Sequence, residues 1–177
     1  MVKNNSRKNK NLKVLIFCSL LAAAGVVLGQ YLSIKIGNSI RIGFGNLPVI
    51  MAGCMFGPLA GASVGIVSDI IGAISFYGIG SVNPIITLAM AVEGILAGLI
   101  GRKLTATSLV AADFSAHIVG AAVIKSIGLW IWYRTPALQI WLRVGSTLIE
   151  AVIESVLLVA LFCSNTVVIK NVRKLSQ

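Results

Sequence analysis

Residues 47–77 read LPVIMAGCMFGPLAGASVGIVSDIIGAISFY. Gly57-Pro58 divides the stretch into two apolar runs, Leu47 to Pro58 and Leu59 to Tyr77, and Asp69 is its sole charged residue. A membrane span takes about 20 residues at ~1.5 Å rise each, so the second run spans alone and the first is short. Gly57, Gly61 and Gly65 recur every four residues, a spacing that lets helix backbones approach one another in lipid. The stretch reads as two membrane helices, the first of which tilts or stops short of the far side.

The same texture continues in both directions. Leu12 to Leu32, Pro84 to Ile100, Ser108 to Ile131 and Leu138 to Ile169 are further apolar runs, each bounded by Gly, Pro, Asn or charge. The 177-residue chain is 57% hydrophobic and 11% charged, with mean hydropathy +0.95. One soluble core of this size could not hide so much apolar surface, so lipid must act as solvent for most of the chain. The expected fold is an all-α integral membrane bundle of six transmembrane helices. A basic N-tail (1–11) and a basic C-tail (170–177) flank the membrane domain (12–169).

Fifteen basic residues against five acidic ones would suggest nucleic acid as partner in a soluble protein, but their positions argue for a bilayer instead. Ten of the fifteen crowd the two tails and the Arg102-Lys103 loop, which places both termini in the cytoplasm by the positive-inside tendency. Lys35, Arg41, Lys125, Arg134 and Arg143 fall on the outer side, against that tendency. Cys18, Cys54 and Cys163 show no metal-ligand spacing and read as small core residues. No metal or cofactor is expected, and no nucleic acid.

Ser33 to Gly45 alternates polar and apolar residues around Gly37-Asn38, the pattern of two short strands joined by a turn. A short structured outer loop is expected there, between the first two helices. All five acidic residues (Asp69, Glu93, Asp113, Glu150 and Glu154) lie inside spans. A charge at mid-membrane costs ~2.5 to 3.5 kcal/mol, so each should face the bundle interior beside a partner. Asp113, His117 and Lys125 share one stripe of the fifth span by their spacing of four and eight, and Arg143, Glu150 and Glu154 share one on the sixth. Lys125 and Arg143 then end near the outer surface, beside Trp130, Trp132, Tyr133 and Trp141. Such a cavity suits a flat, partly anionic ligand: aromatic faces stack on rings and cations pair with carboxylates.

Gly61-Ala62-Ser63-Val64-Gly65 also matches G-x-S-x-G, and with His117 it raises a rhomboid-like intramembrane serine protease. Depth argues against it: by helical rise the two side chains are separated by ~13 Å, far beyond hydrogen-bond reach. Gly spacing for packing explains the match. No Walker motif occurs, so the chain cannot hydrolyse ATP by itself.

Arg41-Ile-Gly-Phe-Gly-Asn-Leu-Pro48, then Ala52-Gly53 and Phe56-Gly57-Pro58-Leu59-Ala60-Gly61, resembles the substrate-binding S components of energy-coupling factor (ECF) vitamin transporters. Ser68-Asp69, Asn83-Pro84-Ile85-Ile86-Thr87, Asp113-Phe-Ser-Ala-His-Ile118 and Lys125-Ser126 are most similar to the folate-specific type. The resemblance implies an outward-facing vitamin site capped by the first outer loop. It also implies a multi-pass protein of the bacterial cell membrane, partnered by a transmembrane scaffold subunit and two cytoplasmic ATPases. The loaded subunit would topple in the bilayer to release its vitamin inward. Carried over by position, Arg41 and Asn46 belong to the lid and its hinge, Asn83 to the third outer loop, and His117, Lys125 and Arg143 to the pocket wall. Phe44, Asp69, Tyr77, Trp132 and Glu150 complete the expected substrate-binding set. Lys125 and Arg143 would take the glutamate tail of folate, and Asp69 or Glu150 its ring; another water-soluble vitamin or heterocycle is the alternative cargo. Members of the family carry Ala-x-x-x-Ala on helix 1 for docking. Here Ser19, Ala22, Ala23, Gly25 and Gly29 stand as the candidate docking face, with Ser19 to Ala23 or Gly25 to Gly29 in place of that motif.

Overall fold

The computed structural model describes residues 2–36 and 40–164. Helix α1 (Val2–Tyr31) runs into a two-stranded antiparallel hairpin, β1 (Ile34–Ile36) and β2 (Ile40–Ile42), then α2 (Asn46–Phe56), α3 (Pro58–Tyr77) and α4 (Pro84–Ile100). The fifth span is one continuous rod made of α5 (Ala106–Ala116), a π-helical segment (His117–Ile124) and α6 (Lys125–Tyr133); α7 (Ala137–Ser164) is the sixth. Five of these rods are long and apolar enough to cross a membrane, and α2 is shorter. The expected six-helix membrane bundle is what the chain forms. The basic tail is helical from Val2 and continues into α1, and the C-tail lies outside the described residues.

The expected two short strands form an antiparallel hairpin that pairs Ile34 with Ile42, Lys35 with Arg41 and Ile36 with Ile40. Its expected turn, Gly37-Asn38, lies outside the described residues. Gly57 sits at φ 98°, where a side chain is disfavoured, and Pro58 opens α3 with a preset φ and no N–H to leave unpaired. That pair ends α2 after only 11 residues, roughly 16 Å of helix. The shortness has a reason: α2 is central to the bundle, with Val49, Ile50 and Ala52 wholly buried, and it touches α1, α3, α4, α5 and α7.

Helices α2, α3 and α4 meet backbone to backbone. A Cβ on Gly53 would lie 2.6 Å from the Gly94 carbonyl oxygen, and a Cβ on Gly61 or Gly94 would strike the backbone of the other. The glycine spacing read from the chain is therefore a packing seam. By contrast, α7 turns Ser146, Thr147, Glu150, Glu154 and Ser155 inward and leaves Leu148, Ile149, Val152 and Val156 outside. A helix with polar residues inside and apolar ones outside is stable only where the surroundings are lipid.

Candidate functional site

At the hairpin end of the bundle the helices splay around a cavity of about 570 Å³, within the size range of small-molecule sites. Its wall draws on the last turns of α1 and α3, the hinge from Gly43 to Asn46, the start of α4, and facing positions of the fifth and sixth spans. Among the described residues, four charged side chains line it: Asp69, Lys125, Arg143 and Glu150. Tyr77 is its one aromatic side chain among the described residues.

Several polar groups on the wall are held by neighbours. Lys125 Nζ lies 2.8 Å from Glu93 Oε1 and donates to Asn46 Oδ1 at 3.3 Å. Glu93 reaches the lysine because Gly120 of the π segment has no side chain: a Cβ there would overlap the Glu93 stem. The Thr87 hydroxyl donates to Asp69 Oδ2 at 2.6 Å. Asn83 caps α4 by accepting from the Ile85 N–H at 2.9 Å, and its amide also reaches the Gly128 carbonyl at 3.5 Å. The Gly43 N–H donates to Glu150 Oε1 at 2.9 Å, which ties the end of the hairpin to α7. A buried ion pair bridging α4 and the fifth span, with a carboxylate holding the chain just after the hairpin, gives the cavity a preset shape.

Of the eleven residues expected to contact substrate, the structure brings seven to this wall: Asn46, Asp69, Tyr77, Asn83, Lys125, Arg143 and Glu150. Four others are placed differently or outside description. His117 is 1% exposed and lies beneath the floor, its Nε2 3.5 Å from Asn46 Nδ2, so it is not part of the wall. Trp132 is 53% exposed on the outside of the bundle, as are Trp130 and Trp141; these rings belt the helix ends and do not converge on the cavity. Phe44 is half-buried beside the hinge, off the wall. Arg41 lies in β2, and its side chain is outside what is described. Ser68, quoted with Asp69 as a family-like pair but not among the expected contacts, also lines the cavity, and so do Gln30 and Thr147, which carried no signal in the chain beyond being polar in apolar runs.

The expected docking face divides in two. Ala22, Gly25 and Gly29 turn inward: Ala22 joins a core with Val49 and Val64, and a Cβ on Gly25 or Gly29 would abut Gly45 at 3.4 Å. All three contribute to packing within the bundle. Ser19 and Ala23 remain on the outer face, between Leu15, Leu20 and Val27. For the serine-protease alternative, the exposed Ser63 hydroxyl donates to the Ala60 carbonyl of its own helix at 2.9 Å, while His117 faces Asp113, Glu154 and Asn46. That geometry contains no Ser63–His117 pair.

Comparison with known proteins fits this arrangement. Residues 13–162 match the family described as ECF transporter, substrate-specific component. Over 89 residues the chain is 38% identical to the folate transporter FolT of Clostridium novyi (strain NT), a match covering 50% of this chain and 51% of that protein. The chain thus matches about half the length of that curated relative. In three dimensions it is similar to the crystal structure of FolT bound with folic acid, with a TM-score of 0.71 and 19% sequence identity over 84% of this chain and 92% of that one. At that identity the likeness speaks for the fold. A family match over most of the chain, joined to a six-helix membrane bundle with a polar cavity, makes this protein a member of the ECF transporter substrate-specific components.

Proposed function

We propose that the protein is the folate-binding membrane subunit of an ECF-type transporter. The observation that carries this reading is the charge pattern of the cavity: Lys125 and Arg143 with Asp69, Glu150 and Asn83, at the hairpin end of the bundle. A folate presents carboxylates at one end and a ring rich in N–H donors and acceptors at the other. Cations for the tail and carboxylates or an amide for the ring are what such a ligand requires. The named relatives, a folate transporter and a FolT bound with folic acid, support the same cargo.

In this reading the lid end faces outward and both termini are cytoplasmic, in a bacterial cell membrane. Chemistry is left to partners: a transmembrane scaffold subunit and two ATPases supply the energy, the loaded subunit topples to deliver its vitamin, and the chain itself is no enzyme. Ser19 and Ala23 on the outer face of α1 are the part of the docking surface open to the scaffold. The apolar core below the cavity, built on Leu47, Ile50, Leu109 and Leu158, supports delivery by reorientation rather than through a pore.

The test is titration of purified protein in detergent with folate, by calorimetry or tryptophan quenching, against riboflavin and thiamine. Tight one-to-one folate binding that Arg143→Glu abolishes is expected. Binding of another vitamin instead would keep the family and change the cargo; folate binding unaffected by Arg143→Glu would remove the tail assignment.

A further inference from the structure

Below the cavity floor three side chains meet that the vitamin reading does not use. Asp113 of α5, His117 at the start of the π segment and Glu154 of α7 are 0%, 1% and 0% exposed. One donor atom from each lies within 4.8 Å of the other two. His117 Nδ1 is 3.0 Å from the Asp113 backbone carbonyl, which can only accept, so the proton sits on Nδ1 and Nε2 keeps its lone pair. This is how metal-binding histidines are oriented: the second ring nitrogen donates to a carbonyl and fixes the tautomer.

With Nδ1 protonated, the Nε2 lone pair faces both the Asn46 amide Nδ2 and Glu154 Oε2, each at 3.5 Å, and Asp113 Oδ1 lies 3.5 Å from Nδ1. Those distances exceed a direct hydrogen bond, which spans ~2.7–3.2 Å. Two ligands held ~2.0–2.1 Å from one tetrahedral ion stand about 3.4 Å apart, close to the Nε2–Oε2 separation. Among the described residues, neither oxygen of Asp113 and neither oxygen of Glu154 has a hydrogen-bond partner. Carboxylates shut away from water without donors are costly, and the nearby ammonium of Lys125 is already paired with Glu93 at 2.8 Å. A divalent cation would neutralise both carboxylates and leave the imidazole neutral.

We propose that Asp113, His117 and Glu154 form a binding site for one divalent transition-metal ion, tying the fifth span to the sixth beneath the ligand cavity. The mixed nitrogen and carboxylate donors suit Zn²⁺, Co²⁺ or Mn²⁺ and disfavour Mg²⁺ and Ca²⁺, which prefer oxygen alone. Asn46 lies between site and cavity, lining the cavity and standing 3.5 Å from Nε2, so an ion reaches the cluster past one side chain. Asp113 Oδ1 lies on the Nδ1 side of the ring and would join the ion by rotating toward Nε2. An ion here would set the spacing of the two spans that carry Lys125, Arg143 and Glu150.

The test uses tag-free full-length protein in detergent, stripped with chelator and titrated with ZnCl₂ by calorimetry, with metal content measured after desalting. One equivalent per chain, a raised unfolding temperature and no competition from Mg²⁺ are expected. Glu154→Gln should weaken uptake at least about 100-fold, since even loss of an outer partner of a metal ligand costs about 10- to 100-fold. Cys163→Ser, at an exposed thiol, should leave uptake unchanged. Should Glu154→Gln fail to fold, the visible spectrum of Co²⁺ bound to the wild type decides. Nitrogen and oxygen ligation gives d–d bands alone, whereas a thiolate charge-transfer band would place the ion on cysteine. Absence of uptake, uptake indifferent to Glu154, or a thiolate band would each overturn the site.

Discussion

The α2–α3–α4 seam and the wall formed by the fifth and sixth spans solve the same packing problem in opposite ways. In the seam, Gly53, Gly61, Gly65, Gly94 and Gly98 remove side chains so that backbones touch. On the wall, the spans keep long polar side chains (Lys125, Arg143 and Glu150), with Lys125 paired to Glu93 of α4 and Glu150 bonded to the Gly43 N–H of the hinge. Backbone contacts cannot yield to a new group, whereas side-chain networks can be rearranged by rotation or by a ligand. The comparison assigns the rigid scaffold to one half of the bundle and the recognition chemistry to the other.

The largest effect should come from filling the seam. Gly94→Ala places a methyl against the backbone of Gly61 and Ala62, with no flexible side chain to move aside. Overpacking of this kind is expected to cost ~3 kcal/mol. Thermal unfolding and size-exclusion profiles in detergent check it, and an unchanged melting temperature would break the distinction between the halves.

Next is Lys125→Ala, which removes a cavity cation and leaves Glu93 buried without it. Folate affinity should fall by about 100-fold, equivalent to ~2.7 kcal/mol, and stability should fall with it. Adding Glu93→Gln should restore the melting temperature and leave the affinity low. That split between stability and binding is the signature of an adjustable wall, and recovery of both would argue that Lys125 only props the helices apart.

A smaller effect is expected from Glu150→Ala, which frees the Gly43 N–H and unties the hairpin from α7. Folate dissociation, followed by stopped-flow fluorescence, should quicken about tenfold, or ~1.4 kcal/mol. Smallest is Gly145→Ala on the exposed face of α7, where a Cβ meets nothing within 4 Å. Helix propensity alone should then stabilise the protein by up to ~1 kcal/mol, opposite in sign to Gly94→Ala. The two alanines together separate glycine used for close approach from glycine that is incidental.

Legibility differed in the same way between the regions. The four-residue glycine repeats announced backbone contact, although not that Gly61 would face Gly94 or that Gly25 and Gly29 would turn inward to Gly45. The stripe of Asp113, His117 and Lys125 was visible in the spacing, yet one stripe does not serve one site. The π segment from His117 to Ile124 changes the helical phase between its ends, so Lys125 reaches the cavity while His117 stays under the floor. Trp132 misled for a related reason: aromatic residues near span ends are drawn to the interface as readily as to a pocket.

The chain by itself determined the six spans, the hairpin and the presence of polar side chains within apolar runs. Each of those follows from transfer of short segments between water and lipid, which depends on local composition and length. Tertiary structure alone decided which polar groups meet and which of them face the cavity. With lipid outside and protein inside, an apolar residue is at home on either face, so hydropathy fixes the depth of a helix and leaves its rotation to packing. The Gly53–Gly94 contact, the Lys125–Glu93 pair admitted by Gly120, and the Asp113, His117 and Glu154 cluster are products of that rotation.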